Sequence, residues 1–509
     1  MPSTPGGESL VQQALAKNRL GIPSVIFFVL TAATPFTVIA GVVTTGFAMT
    51  GLIGIPTAFL VIGALLILFA VGYVTMARHV NNAGAFYAFI ARGIGRPLGV
   101  GASWIALLSY NALQIGLYGL LGYTAQGLLL DWFAIDIAWW VLALGSWAIV
   151  AFLGIQQVDL NGKVLAVLLV LEIAIIAVYS FSSVANPAGG SISFATLAPN
   201  ELFGPGLGAM LILGILGFIG FEAATVFSEE SKDPARTVPR ATYLSVLILA
   251  VLYTFASWAM TVGTGADNIV ERSRDEEITV LFNLAGEQLG VAMVNIGWAL
   301  LLTSVLAAMI SFHNTTARYM FSLGRERVLP AALGRTSQRS SSPVVASLTQ
   351  SAIGFIVILI YGLGGLDPLV ELFFFAGTAG GLGILMLITT TSVSVVWYFW
   401  KDKRGESSLR TRVAPIAASL VLFVVMYLAV SHFGELLGAE EGSPLPWLIP
   451  TIFVAAALGG IVWGLVLRAT RPDVYATIGM GAKAVLSEAT PDDEGTEDKV
   501  AEPAGMGGR

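Results

Sequence analysis

Apolar residues run along this chain in long blocks, without the alternation of half-buried strands. Twelve blocks stand out, near 24–50, 52–77, 98–128, 138–156, 161–181, 206–228, 239–264, 288–322, 343–364, 371–399, 413–431 and 447–467. A bilayer core about 30 Å thick needs roughly 20 apolar residues per helix, so each block predicts one spanning helix. A β-barrel would show short alternating segments instead. The pattern predicts an all-α polytopic membrane protein of about twelve transmembrane helices. Its membrane domain covers 21–470, with helices 1–5 over about 24–181, helices 6–10 over about 206–399 and helices 11–12 over about 413–467. Residues 1–20 form an N-terminal tail. Residues 471–509, rich in Asp, Glu, Gly, Pro and Thr, read as a disordered C-terminal tail.

Two blocks are interrupted. The first carries Pro35, Gly41 and Gly46 in TAATPFTVIAGVVTTGF, with Thr31, Thr34 and Thr37 around the proline. The sixth carries Gly214, Gly217 and Gly220, then Glu222, and runs into a charged loop, GILGFIGFEAATVFSEESKDPARTVPR. Proline removes a backbone donor and glycine lowers the cost of unwinding. Interrupted segments at matching places of two halves are the best sequence pointer to a transport site, because freed backbone groups can hold a polar ligand. Here they open two sets of five helices, 1–5 and 6–10, leaving helices 11 and 12 as accessories. Packing glycines and an ordinary kink are the alternative.

Composition narrows the function. The chain is 56% hydrophobic, 11% charged, and has a mean hydropathy of +0.81. The net charge of −6 matters less than its distribution. Basic residues such as Arg78, Arg92, Arg96, Lys163, Arg240, Arg327, Arg335, Arg404 and Arg412 follow the even-numbered helices. The opposite loops hold only Arg272 and Arg274, within an acidic run. The positive-inside rule then places both termini in the cytoplasm, consistent with an even number of spans in the cell membrane. Without cysteine there is no disulfide, thiolate metal site or thiol nucleophile. The first 20 residues lack the apolar core of a cleavable signal peptide. No GxxxxGK[ST] occurs, so ATP-driven transport by this chain alone is not expected. No cofactor, metal or nucleic-acid partner is expected either, and the chain reads as a monomer or weak homodimer in the bilayer.

Three stretches resemble the amino acid–polyamine–organocation superfamily of permeases. They are FIGFEAATVFSEESKDPARTVPRAT (218–242), FHNTTARYMFSLGRERVLP (312–330) and RHVNNAGAFYAFIARGIGRPLG (78–99). The resemblance implies a five-plus-five inverted-repeat core with broken helices 1 and 6, plus two accessory helices. It also implies secondary transport of amino acids or amines, with the substrate's carboxylate and amine held at the two breaks. The helix 6 site maps to Gly217, Phe218, Ile219, Gly220 and Phe221, and the helix 1 site to Ala33, Thr34, Pro35, Phe36 and Thr37. Two departures stand out. ATPFT replaces the family's glycine-rich run in helix 1, and Glu172 occupies helix 5 where several proton-coupled relatives carry lysine.

The remaining candidates are polar residues at membrane depth and charges at the edge. Glu172, mid-span in LVLEIAII, is expensive in a bilayer unless paired, protonated or facing water. It reads as a proton-coupling group or as a protonated acid making one structural hydrogen bond. Glu222 reads as a cap for the unwound helix, a proton site or a contact for an amine. Tyr110 and Gln114 share a face of helix 3 and line the cavity or glue helices together. Thr303 and Ser304 lie near the middle of helix 8. Glu229, Glu230, Lys232 and Arg236, with Arg318 or Arg325, suit a gate of salt bridges that break and remake. The expected function is a secondary active transporter of amino acids, working by alternating access with proton-coupled uptake. The alternatives are an organic amine carrier, for ethanolamine or a polyamine, and an amino acid exchanger. Neither a channel filter nor a catalytic cluster is evident, so no enzyme activity is expected.

Overall fold

A computed structural model describes residues 15, 18–156, 158–337, 340–437, 442–482 and 484. The apolar blocks become twelve helices: α1 (Ile22–Thr50), α2 (Ile55–Ala77), α3 (Arg96–Phe133), α4 (Trp139–Gly154), α5 (Val158–Ala185), α6 (Leu207–Val226), α7 (Pro234–Thr264), α8 (Val291–Arg325), α9 (Val344–Gly364), α10 (Pro368–Trp400), α11 (Leu409–Ser431) and α12 (Leu445–Thr470). Eleven have the length and apolarity to cross a membrane. The twelfth, α4, has 16 residues, about 24 Å at the rise of an α-helix. Several helices start with proline at the first or second position, where the missing N–H leaves no bond unmade. α1 and α9 stop at Gly51 and Gly365, both left-handed.

The buried core runs through α1–α10. It is dense with aromatic rings near the breaks, including Phe36, Phe59, Tyr73, Phe218 and Tyr253. α11 packs outside α2, α6 and α10, and α12 lies along α3. Both outer helices keep large apolar side chains exposed, such as Leu420, Tyr427, Trp447 and Leu458. This is the surface that lipid covers.

Two connections are more ordered than a hydropathy pattern conveys. Between α7 and α8 the acidic run folds into helices Ile269–Glu276 and Val280–Leu289. They are tied by Arg272 to Glu276 (2.8 Å) and Glu287 (2.6 Å), and by Arg274 to the Ala48 carbonyl (2.9 Å). The second concerns the tail. Residues expected to be disordered from 471 onward instead begin with a helix, Pro472–Thr477, docked on the bundle with Val474 and Ile478 buried. That apolar pair is the physical reason the fold continues. The rest of the tail, 485–509, lies outside the described residues, as do most of residues 1–17.

Candidate transport site

Helix α1 is regular to Ala32, then Thr34 turns left-handed (φ 44°) and the helix restarts at Pro35. A π-turn follows over Val38–Val43. The restarted segment exposes backbone donors, and the Glu172 carboxylate from α5 meets one. Its Oε1 accepts from the Phe36 amide (2.6 Å) and from the Ser304 hydroxyl of α8 (2.8 Å). Thr37 lies 3.3 Å from the same hydroxyl. On the other side of the break, the Tyr253 hydroxyl of α7 donates to the Ala33 carbonyl (3.3 Å).

Helix α6 breaks between Phe218 and Ala223. Gly220 there has φ 114°, and a Cβ on it would sit 2.6 Å from the Cβ of Ala32. Only glycine fits where the two broken helices cross. Glu222 caps this break from within. Its Oε2 accepts from the Gly220 amide (2.9 Å) and its Oε1 from the Tyr110 hydroxyl of α3 (2.9 Å). The Tyr73 hydroxyl of α2 donates to the Glu222 carbonyl (3.4 Å) and shares a short hydrogen bond with Thr225.

A cleft begins at these breaks and extends toward the face opposite the termini, as far as Thr45 of α1 and Leu436 beyond α11. It encloses about 860 Å³ of empty space, open solvent at its mouth included. Its floor includes Ala32, Ala33, Thr34 and Ile219; Leu113 and Leu117 of α3, Leu213 and Leu216 of α6, Phe312 of α8, and Phe373 and Phe374 of α10 form much of its wall. None of its lining residues is charged. Polar contact comes from Thr34, Thr37, Thr45, Thr378 and the backbone.

Toward the termini the path is shut. Phe28 stacks on Phe227 (4.4 Å between centroids), and the Arg318 guanidinium lies over Phe227 (4.6 Å). Arg318 grips Glu230 through two bonds (2.9 and 3.0 Å), both side chains buried, and also bonds the Asn314 carbonyl. Arg325 grips Glu229 (2.6 and 2.8 Å). Losing one partner of such a pair leaves an uncompensated buried charge, so the pairs hold firmly while closed. The segment before α1 crosses this layer: the amides of Arg19 and Leu20 donate to the Glu230 carbonyl, and the Lys232 amide donates to the Leu20 carbonyl.

The sequence candidates therefore divide. Ala33, Thr34, Thr37 and Ile219 line the cleft. Pro35 is buried in the restarted helix. Phe36 turns its ring away, against Tyr179 and Phe282. Gly217 and Phe218 pack on Phe59 and Tyr253, and Phe221 packs on Phe69. Gly220 makes the crossing. Tyr110 holds Glu222. Gln114 accepts from Gln350 of α9 (2.8 Å) and donates to Tyr118 (3.2 Å), so it ties helices together and does not line the cleft. Ser304 joins Glu172, whereas Thr303 turns toward α4 and bonds its own helix at the Leu300 carbonyl. Of the charged loop, Glu229, Glu230, Arg318 and Arg325 assemble the closed layer. Lys232 is exposed, and so is Arg236, which pairs with Asp233 at 3.6 Å; neither side chain belongs to that layer.

Sequence reasoning missed Tyr73 and Tyr253, which satisfy the breaks from α2 and α7, and the cleft wall of Leu113, Leu117, Phe312, Phe373 and Phe374. Each sits in an apolar run with no local mark. The only available signal for the tyrosines is a hydroxyl at membrane depth, which needs a partner.

Two broken helices crossing at an apolar cleft, closed at one end by buried ion pairs, define a membrane carrier. Residues 20–457 match the family model described as "Amino acid permease", and the chain belongs to that family. Relatives include the branched-chain amino acid permease BcaP of Bacillus subtilis (strain 168), 24% identical over 84% of this chain and 90% of that protein. The low-affinity putrescine importer PlaP of Escherichia coli (strain K12) is 24% identical over 82% and 87%. The lysine-specific permease LysP of Lactococcus lactis subsp. cremoris (strain MG1363) is 24% identical over 66% and 68%. The chain is thus a multi-pass membrane transporter.

Proposed function

We propose that the protein takes up neutral α-amino acids with bulky apolar side chains, coupled to protons, by alternating access across the cell membrane. Both termini lie in the cytoplasm in this reading, which rests on the Lys and Arg bias of the loops. The cleft then faces outward and the ion-pair layer is the closed cytoplasmic gate.

The observation that carries the substrate class is the cleft wall together with the employment of both carboxylates. Glu172 and Glu222 are turned onto backbone and hydroxyl donors of the broken helices. Neither lines the cleft, so neither offers itself as counter-ion to a diamine. A zwitterion finds its polar partners at the breaks, near Ala33–Thr37 and Phe218–Gly220. Its side chain meets Leu113, Leu117, Leu216 and Phe312, where burial of each CH₂ is worth about 0.8 kcal/mol. The name of BcaP agrees with this reading; that of PlaP favours an amine.

Glu172 is the proposed proton carrier. It joins the α1 break to α8, and its Oε2 has no hydrogen-bond partner among the described residues. A proton arriving there changes what holds the break together.

Thermal stability of the purified protein tests the substrate class, since ligands that bind the folded state raise its melting temperature. Leucine, isoleucine and phenylalanine are expected to stabilise, and lysine, glutamate, putrescine and ethanolamine are not. Stabilisation by carboxylate-free amines alone would overturn the proposal and make this an amine carrier.

A further inference from the structure

The chain does not leave the protein after its last span. Past Pro472–Thr477, Gly479 and Gly481 take left-handed backbone (φ 80° and 62°) and aim their amides at one buried carboxylate, Glu326. Gly479 N–H donates to Oε2 at 2.8 Å and Gly481 N–H to Oε1 at 2.7 Å. Side chains would not fit well here, because a Cβ on Gly481 would lie 3.0 Å from the Asn81 carbonyl oxygen. Amides converging on an anion make a strong, charge-assisted contact. Arg96 adds to it, donating to the Ala476 carbonyl (2.8 Å) and lying over the Tyr475 ring (5.2 Å). Ile478 is completely buried beneath the segment.

Glu326 connects this segment to the gate. It follows Arg325 directly, and Arg325 grips Glu229. Its Oε1 also accepts from the Asn82 side-chain amide (2.9 Å). The Asn82 side-chain oxygen Oδ1 accepts from the Ser322 hydroxyl (2.6 Å) and the Gly84 amide (2.8 Å). The next residue, Ala83, donates its amide to Glu229 Oε1 at 3.1 Å. Glu229 is therefore held from two sides, by Arg325 and by Ala83. Both of those positions are adjacent in sequence to a residue bonded to Glu326 or to Glu326 itself.

We infer that residues 472–482 are a clasp that holds the gate at the termini-bearing end shut, with Glu326 as its catch and Asn82 as the link to Glu229. Opening at this end must part the α6–α7 connection from the end of α8, and so must break Glu229 from Arg325. While the segment is docked, Arg325 and Ala83 are kept in register around Glu229. When it lifts, Glu326 loses the Gly479 and Gly481 amides, and the anchor on both neighbours slackens. Docking of the segment is independent of what the protein carries; its control of alternating access rests on the carrier reading above.

The chain contains no cysteine, so single introduced thiols report without background. Ile478→Cys reports docking, by its rate of labelling with a water-soluble maleimide. Gly377→Cys reports the cleft: it lines the wall, and a Cβ there meets nothing within 4 Å. The perturbations are Glu326→Gln, Gly481→Val, and a stop codon after Arg471. Glu326→Gln in the full chain should speed labelling at position 478 by roughly tenfold or more, as amide bonds to a charged acceptor are lost. All three perturbations should slow labelling at position 377 from the cleft side several-fold, as the population shifts toward opening at the other end. The stop codon removes no residue of the twelve spans, so it keeps the test available if Glu326→Gln does not fold. Rapid labelling at position 478 in the otherwise unaltered chain overturns the clasp, as does unchanged labelling at position 377 in every folded variant. If position 377 responds but no amino acid stabilises the protein, the clasp stands and the substrate proposal falls. If amino acids stabilise it and position 377 does not respond, the clasp falls alone.

Discussion

The two helix breaks solve one problem with different parts. Each unwound segment leaves a buried backbone amide needing an acceptor, and each receives a buried glutamate. At the α6 break the glutamate is local: Glu222 is two residues from the Gly220 amide it accepts, and both of its oxygens are engaged. At the α1 break the glutamate is remote: Glu172 comes from α5, and among the described residues only one of its oxygens is engaged. A reciprocal pair of tyrosines completes the scheme, Tyr73 of α2 serving the α6 break and Tyr253 of α7 serving the α1 break. Two halves of five helices related to one another would place their second helices in this way. The difference lies in the free oxygen. A fully bonded carboxylate is a structural cap, whereas a half-bonded one has room to change state.

Removing Glu222 should therefore be the costliest change at either break. Glu222→Ala leaves the Gly220 amide and the Tyr110 hydroxyl buried and unmatched, at about 1–3 kcal/mol each. Glu222→Gln repairs part of this, because its oxygen can keep the Gly220 amide while its NH₂ donates to the Tyr110 hydroxyl oxygen, which accepts as well as donates. Glu222→Ala should show the largest fall in melting temperature of any change at the breaks. A Glu222→Ala protein as stable as the parent would remove the distinction between the two carboxylates. Gly220→Ala comes next: it must hold φ near 114° and push Ala32 away from 2.6 Å. Strain of this kind costs about 1–3 kcal/mol. Thermal unfolding with and without substrate would separate lost stability from a cleft that no longer closes on ligand.

The same contrast explains what the sequence revealed. Helix number, the two breaks and Glu222 were legible, because hydropathy and a glycine beside its own cap are local signals. That Glu172 is special followed from its depth alone; that it serves the Phe36 amide, 136 positions away, did not. Charges in one loop were also indistinguishable. Glu229, Glu230, Lys232 and Arg236 look alike in sequence, but only the two glutamates point inward to Arg325 and Arg318. The docked tail was hidden by the acidic composition that follows it, although Val474, Tyr475 and Ile478 supply the apolar contact. Cleft-wall residues such as Leu113 and Phe312 were invisible, since any helix in this bundle carries leucine and phenylalanine.

Glu172→Gln should cost far less stability than Glu222→Ala. Its side-chain oxygen can keep both donors, Phe36 and Ser304, while its NH₂ takes the place of the oxygen that has no partner. Its effect belongs in coupling. In proteoliposomes, substrate accumulation driven by an imposed pH gradient should fall to the level set by exchange alone, while substrate still raises the melting temperature. The sign is fixed by the direction of drive: lowering external pH should stimulate uptake in the parent and leave the variant unmoved. Retained stimulation would sink the proton-carrier role and leave Glu172 as a second structural cap.

Tyr253→Phe sharpens the comparison with the smallest effect. The hydroxyl donates to the Ala33 carbonyl at 3.3 Å, a long bond, and membrane-buried hydrogen bonds average about 0.6 kcal/mol. The phenyl ring keeps its packing on Phe59 and Phe218, so little else is lost. Its value lies in combination. Tyr253 and Glu172 hold opposite sides of one break, at Ala33 and Phe36, so the double variant with Glu172→Gln should depart from additivity. Tyr253→Phe combined with a substitution at the α6 break that leaves the crossing intact, such as Tyr110→Phe, should be closer to additive. Coupling of equal size in both pairs would mean that the breaks act as one unit, and that the crossing at Gly220 and Ala32 transmits what either carboxylate does.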